Sequence, residues 1–140
     1  MGRINVARVI LGGIVAGIVT NVLAPLLHDV LLKDLHAETM KSLGKTPPTG
    51  GSTIAVWVIY GFLWAFAAVW LYAAIRPRFG PGPMTAIRAA IVTWFFGSLL
   101  VGIAMWNLTL MPFSVIELVG ELVAAILAVL AGAAVYKEAP

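Results

Sequence analysis

Cysteine is absent from the chain, which excludes disulfides, thiolate metal centres and cysteine nucleophiles. Charge is nearly as scarce. Asp, Glu, Lys and Arg make up 11% of 140 residues, where a water-soluble domain carries about a quarter. There is no Walker phosphate loop, no Gly-x-Ser-x-Gly nucleophile elbow and no Cys-x-x-Cys-His haem attachment, so the sequence argues against an enzyme. The basic residues are spread over short segments without interleaved aromatics, which argues against nucleic acid as a partner.

What fills the chain instead is apolar. Hydrophobic residues account for 61% of it, and the mean hydropathy is +1.01. Residues 5–27, 54–75, 87–108 and 115–136 form four apolar runs, each longer than the roughly 18 residues that a hydrocarbon core of about 30 Å requires. The expected architecture is all-α: a four-helix transmembrane bundle, one integral membrane domain over residues 1–140, with the lipid bilayer as its first partner. The first run is too long in its uncharged part for a cleaved signal, and its best small-residue site, Ala24, is followed by Pro25; it reads as a span.

The basic residues set an expected orientation. Arg3, Arg8, Arg76, Arg78, Arg88 and Lys137 flank the runs on one side, against Lys33, Lys41 and Lys45 on the other, where Asp29, Asp34 and Glu38 offset them. The excess places both termini in the cytoplasm. Arg76 and Arg78 are then expected at the lipid headgroups. On the outer side, Leu27, Val30, Leu31, Leu35 and Met40 recur at helical spacing, an amphipathic continuation of the first span suited to the membrane surface. Residues 45–51 read as a Pro- and Gly-rich loop.

Gly13 and Gly17 stand four residues apart on the first span, a small-residue face that admits a neighbouring helix. A bundle of 140 residues has few helices with which to cover such a face, so self-association or membership of a larger membrane complex is expected. The segment Tyr72-Ala-Ala-Ile-Arg-Pro-Arg-Phe-Gly-Pro-Gly-Pro-Met-Thr-Ala86 packs three prolines and two glycines into residues 77–83, which favours a stiff turned loop over a helix. With this loop and the ending Ala131-Gly-Ala-Ala-Val-Tyr-Lys-Glu138, the chain resembles uncharacterised small bacterial membrane proteins with four spans. The resemblance covers most of the length and implies the bundle fold, but it brings no activity with it.

Polar groups inside the runs converge on the expected outer half: Thr20, Asn21 and His28 from the first, Asn107 from the third, and Ser114, Glu117 and Glu121 from the fourth. Ser114-Val-Ile-Glu117 has the form of a capping box, which accounts for Glu117. Glu121, one turn deeper, has no such explanation and needs a partner in a low-dielectric setting. Asn21, Asn107 and Tyr60 are the neutral candidates. His28 reads as a solvated residue of the interface. Two functions follow: a non-catalytic, helix-packing or accessory subunit with Glu121 as internal glue, or a small transporter or channel in which Glu121 exchanges a proton or binds a cation, helped by Glu117, Asn21, His28 and Asn107. His28, Glu117 and Glu121 offer nitrogen and oxygen donors, but no helix carries a Glu-x-x-His or His-x-x-x-His pair, so no metal is assigned and the cofactor is left open.

Overall fold

The computed structural model describes residues 4–46 and 50–138. Arg3, counted above among the basic residues, and Pro47 and Pro48 of the expected loop lie outside them. Among the described residues the chain is helical without strands. Helix α1 (Val6–Pro25) runs into a π-helical turn, Leu26–Leu31, and then a short helix α2 (Lys33–Ser42). Helix α3 (Gly51–Phe79) is followed by α4 (Pro83–Trp94), a second π-helical segment Phe95–Leu99, α5 (Leu100–Asn107) and α6 (Val115–Val135). Four continuous helical stretches, Val6–Leu31, Gly51–Phe79, Pro83–Asn107 and Val115–Val135, are long and apolar enough to cross a membrane. The chain is a multi-pass membrane protein with an all-α four-helix bundle.

Side-chain size is distributed as lipid demands rather than as water does. The fully buried positions are small: Ala16, Ala65, Ala68, Ala86, Ala89, Ala90 and Ala128, with Val69 and Val129. Large side chains such as Ile54, Trp57, Leu63, Phe96 and Ile116 face outward. Lipid tails solvate leucine as well as a protein core does, so helices associate by close approach of small residues. Glycine marks the tightest points. A Cβ on Gly12 would meet the Gly132 carbonyl oxygen at 2.7 Å, so α1 and α6 cross backbone to backbone. A Cβ on Gly13 or Gly17 would overlap the ring of Phe66 or Phe62 respectively. The Gly13/Gly17 face is therefore covered by α3 of the same chain.

One end of the bundle is sealed by tyrosines. Tyr136 accepts from the backbone N–H of Asn5 at 3.3 Å and packs edge-on against Tyr72 at 5.8 Å, bringing the start of α1 beside the end of α6. The turn between α3 and α4 is shorter than the sequence suggests. Helix α3 continues through Pro77 to Phe79, where the proline in the last turn forfeits a single backbone bond. Gly80, at φ 82°, is what stops it, since that conformation is open mainly to glycine. Pro83 then opens α4 at its first turn, where a missing N–H costs nothing, and the buried Thr85 hydroxyl donates to the Gly80 carbonyl at 2.8 Å.

These contacts predict that Gly17→Leu and Gly132→Leu each lower the melting temperature in mild detergent by about 3–10 °C, the effect of an overpacking cost of about 1–3 kcal/mol. Gly51→Ala, with nothing within 4 Å of its new Cβ, leaves it unchanged. Equal melting of all three variants would show that the helices are not held at these glycines.

Candidate functional site

The end of the bundle opposite the tyrosines brings both histidines together with two glutamates. Its construction begins at Pro25, which has no N–H to continue the α-helical ladder. Beyond it the helix widens into the π turn Leu26–Leu31, visible in the Leu32 N–H reaching back five residues to the Leu27 carbonyl at 2.8 Å. Such widened turns are frequent at functional sites because they re-aim side chains. Leu27 seats against Gly120 of α6, where a Cβ would come within 2.5 Å of its Cδ1. Its neighbour His28 is thereby held beside Glu117 and Glu121, one turn apart on α6.

At Leu32 the chain leaves helical geometry (φ −109°, ψ 18°) and re-enters it as α2, which turns His36 back toward His28. The two imidazoles stack at 5.1 Å between centroids with 21° between planes. His36 Nε2 lies 3.1 Å from Glu117 Oε1. His28 Nε2 lies 3.5 Å from Glu117 Oε1 and 3.5 Å from Glu121 Oε1. All four side chains are partly buried, between 21% and 29% exposed, a degree of burial at which ionic partners matter.

The other ring nitrogens fix the chemistry. His28 Nδ1 is 2.9 Å from the Ala24 carbonyl, and His36 Nδ1 is 3.0 Å from the carbonyl of His28. A carbonyl oxygen only accepts, so each Nδ1 carries the proton, and each neutral ring presents its Nε2 lone pair to a carboxylate. Lone pair against lone pair is repulsive. The arrangement therefore calls for positive charge among these atoms, supplied by a proton on Nε2 or by a cation shared between the rings and the carboxylates.

Supporting contacts hold α6 in place. The Ser114 hydroxyl accepts from the Glu117 N–H at 3.2 Å, one half of the expected capping box. The reciprocal half is replaced, because the Glu117 carboxylate turns to the histidines. The Trp94 indole N–H donates to the Leu118 carbonyl at 3.0 Å, tying α4 to the turn that bears both glutamates.

The expected site residues divide into three groups. Glu117, Glu121 and His28 come together. His28, read from the sequence as a solvated interfacial residue, is instead directed at both carboxylates. Asn21 stands apart, its amide donating to the Gly17 carbonyl at 2.9 Å and the Val58 carbonyl at 3.3 Å, where it bridges α1 and α3 against Gly61. Asn107 ends α5 and is exposed, while Tyr60, also exposed, packs edge-on with Trp57 at 5.9 Å. At the other end Arg76 pairs with Glu138 at 3.0 Å and lies over the Tyr136 ring at 5.5 Å, whereas Arg78 is exposed. His36 is the residue that sequence reasoning missed. Eight residues from His28, it would stand about 12 Å further along a straight helix, and the π turn and the break at Leu32 bring the two rings together.

Because Glu117 meets both histidines and Glu121 only one, their removal should differ. In lipid nanodiscs, Glu117→Gln and His36→Ala are expected to speed backbone hydrogen exchange over residues 33–42 about tenfold or more, the loss of one charge-assisted bond of about 1.5–3 kcal/mol. Glu121→Gln should have a smaller effect. Exchange unchanged in all three would mean that α2 is not held by the cluster.

No protein-family model, curated protein or solved structure matches this chain, so its function rests on the geometry alone.

Proposed function

We propose that this protein is a non-catalytic, helix-packing module of the bacterial inner membrane that holds positive charge in its His28–His36–Glu117–Glu121 cluster, and thereby fastens α2 to the bundle at the outer face. The observation that carries this reading is the pairing of each histidine: Nδ1 on a backbone carbonyl, Nε2 on a carboxylate at 3.1 Å or 3.5 Å. Such a clasp joins the π turn and α2 to α6.

Binding is favoured over passage by what lies beneath. Toward the tyrosine end the bundle interior is filled by Ala65, Ala68, Val69, Ala128 and Val129, each at 0% exposure. A proton or cation that reaches Glu121 from the cluster end meets a closed floor of small apolar side chains, with no ionisable group among them to carry it on. The Glu121 carboxylate serves as a fastening in this reading, and the transporter reading would need the floor to open.

The orientation follows from the distribution of cations: Arg8, Arg76, Arg78, Arg88 and Lys137 flank the tyrosine end, and Lys33, Lys41 and Lys45 the cluster end. The positive-inside rule sets the former in the cytoplasm. Exposed Arg78 is placed to meet anionic headgroups there, as is exposed Arg88, which lies over the Phe79 ring at 4.8 Å, while Arg76 does so only by giving up Glu138.

Since the chain has no cysteine, single cysteines report sidedness cleanly. Lys41→Cys should react with an impermeant maleimide from the periplasmic side and Pro81→Cys only after permeabilisation; the reverse pattern would invert the assignment. In proteoliposomes under an imposed pH or cation gradient, the wild type is expected to match protein-free vesicles. Flux above that background, abolished by Glu121→Gln, would overturn the binding reading in favour of transport.

A further inference from the structure

We propose that the cluster is a binding site for one divalent first-row transition ion of the zinc class, with His28 Nε2, His36 Nε2 and a Glu117 oxygen as ligands, the fourth position open, and Glu121 as a neighbouring carboxylate beside His28. The proposal rests on the charge-holding reading of the same cluster and names the species that fills it. Three observations carry it.

The first is spacing. Donors placed tetrahedrally at about 2.0–2.1 Å from zinc stand about 3.3 Å from one another. The separations are 3.1 Å for His36–Glu117 and 3.5 Å for His28–Glu117, and one ligand atom each from His28, His36 and Glu117 lies within 4.8 Å of the others. At 3.5 Å the His28–Glu117 contact is long for a hydrogen bond, yet close to the edge of a ligand tetrahedron.

The second observation is the outer shell. Histidines that ligate metals donate their other N–H to a carbonyl or carboxylate, which fixes the tautomer and aims the lone pair. Here both Nδ1 atoms are so engaged, with Ala24 and with His28 itself. The Ala24 carbonyl lies in the helix just before Pro25, and the His28 carbonyl lies within the π turn, so the backbone distortion supplies both anchors.

The third is charge. Two neutral imidazoles and two carboxylates carry −2 together, which one divalent ion cancels without any further partner in a region where uncompensated charge is costly. The mixture of imidazole and carboxylate donors selects zinc-like ions over Mg²⁺ and Ca²⁺, which take oxygen ligands.

The test uses purified full-length protein in detergent or nanodiscs, freed of metal by chelator, and titrated with Co²⁺ and then Zn²⁺. The expected result is the intense visible absorption of four-coordinate Co²⁺ at one equivalent, bleached by stoichiometric Zn²⁺ and undisturbed by excess Mg²⁺. His36→Ala and Glu117→Gln should each weaken Zn²⁺ binding by more than the roughly 10–100-fold that follows loss of an outer-shell partner. Gel filtration and circular dichroism confirm that these variants remain folded, and Lys33→Ala, on an exposed neighbour of the cluster, should bind like the parent. Absent or weak octahedral Co²⁺ bands, or affinity equal in the parent and a His28→Ala/His36→Ala double variant, would overturn the metal assignment. Retention of the slow exchange of α2 in the same metal-free sample would show that the clasp survives without it, whereas its loss on chelation would support the ion as the fastener.

Discussion

Two imidazoles whose outer nitrogens face two carboxylates cannot be held together in a poorly hydrated site unless positive charge lies between them. Much of this molecule's less regular structure serves to create that situation. The π turn after Pro25 redirects His28, the break at Leu32 returns His36, and Gly120 accepts Leu27 where the end of α1 meets α6. The first two are local departures from ideal helix, and all three fall at one end of the bundle.

The rest of the fold is built on the opposite logic. Alanine and glycine fill the contacts between α1, α3, α4 and α6, and the backbones of α1 and α6 approach at Gly12 and Gly132. Such packing gives rigidity without polar groups. It makes the tyrosine end and the interior a fixed frame, against which the short α2 has few apolar contacts of its own: Thr39 is its one buried residue among those described. The energetic burden of keeping α2 docked consequently falls on the ionic cluster. This is why a change in one carboxylate at the cluster is expected to alter the mobility of a segment far from it in sequence.

Hydropathy made the four spans legible, because a run of apolar residues longer than a bilayer is thick has few other uses. Gly13 and Gly17 stood out by spacing, while their partners Phe66 and Phe62 did not, since phenylalanine in an apolar helix carries no positional signal. The three prolines of residues 77–83 suggested a longer loop than exists: Pro77 sits where a helix is ending anyway, and Pro83 where one begins. Glu121 was visible as an ionisable residue in a span, and its partner was sought among neutral amides because the arginines inside neighbouring runs, Arg8 and Arg88, lie at the opposite end of the bundle. The true partner, His28, looked solvated because a straight helix would carry it to the surface. His36 could not be placed, since its position depends on a π turn and a helix break whose sequence signal is only Pro25.

The most direct measurement is ¹⁵N solid-state NMR of the histidine-labelled protein in lipid bilayers. The chain contains two histidines, so two rings give the whole spectrum. The account predicts that both Nδ1 sites are protonated in the metal-free protein, that Glu117→Gln perturbs both Nε2 resonances, and that Zn²⁺ shifts Nε2 while leaving Nδ1 protonated. Rings that exchange between tautomers as free histidine does, indifferent to Glu117 and to Zn²⁺, would contradict it.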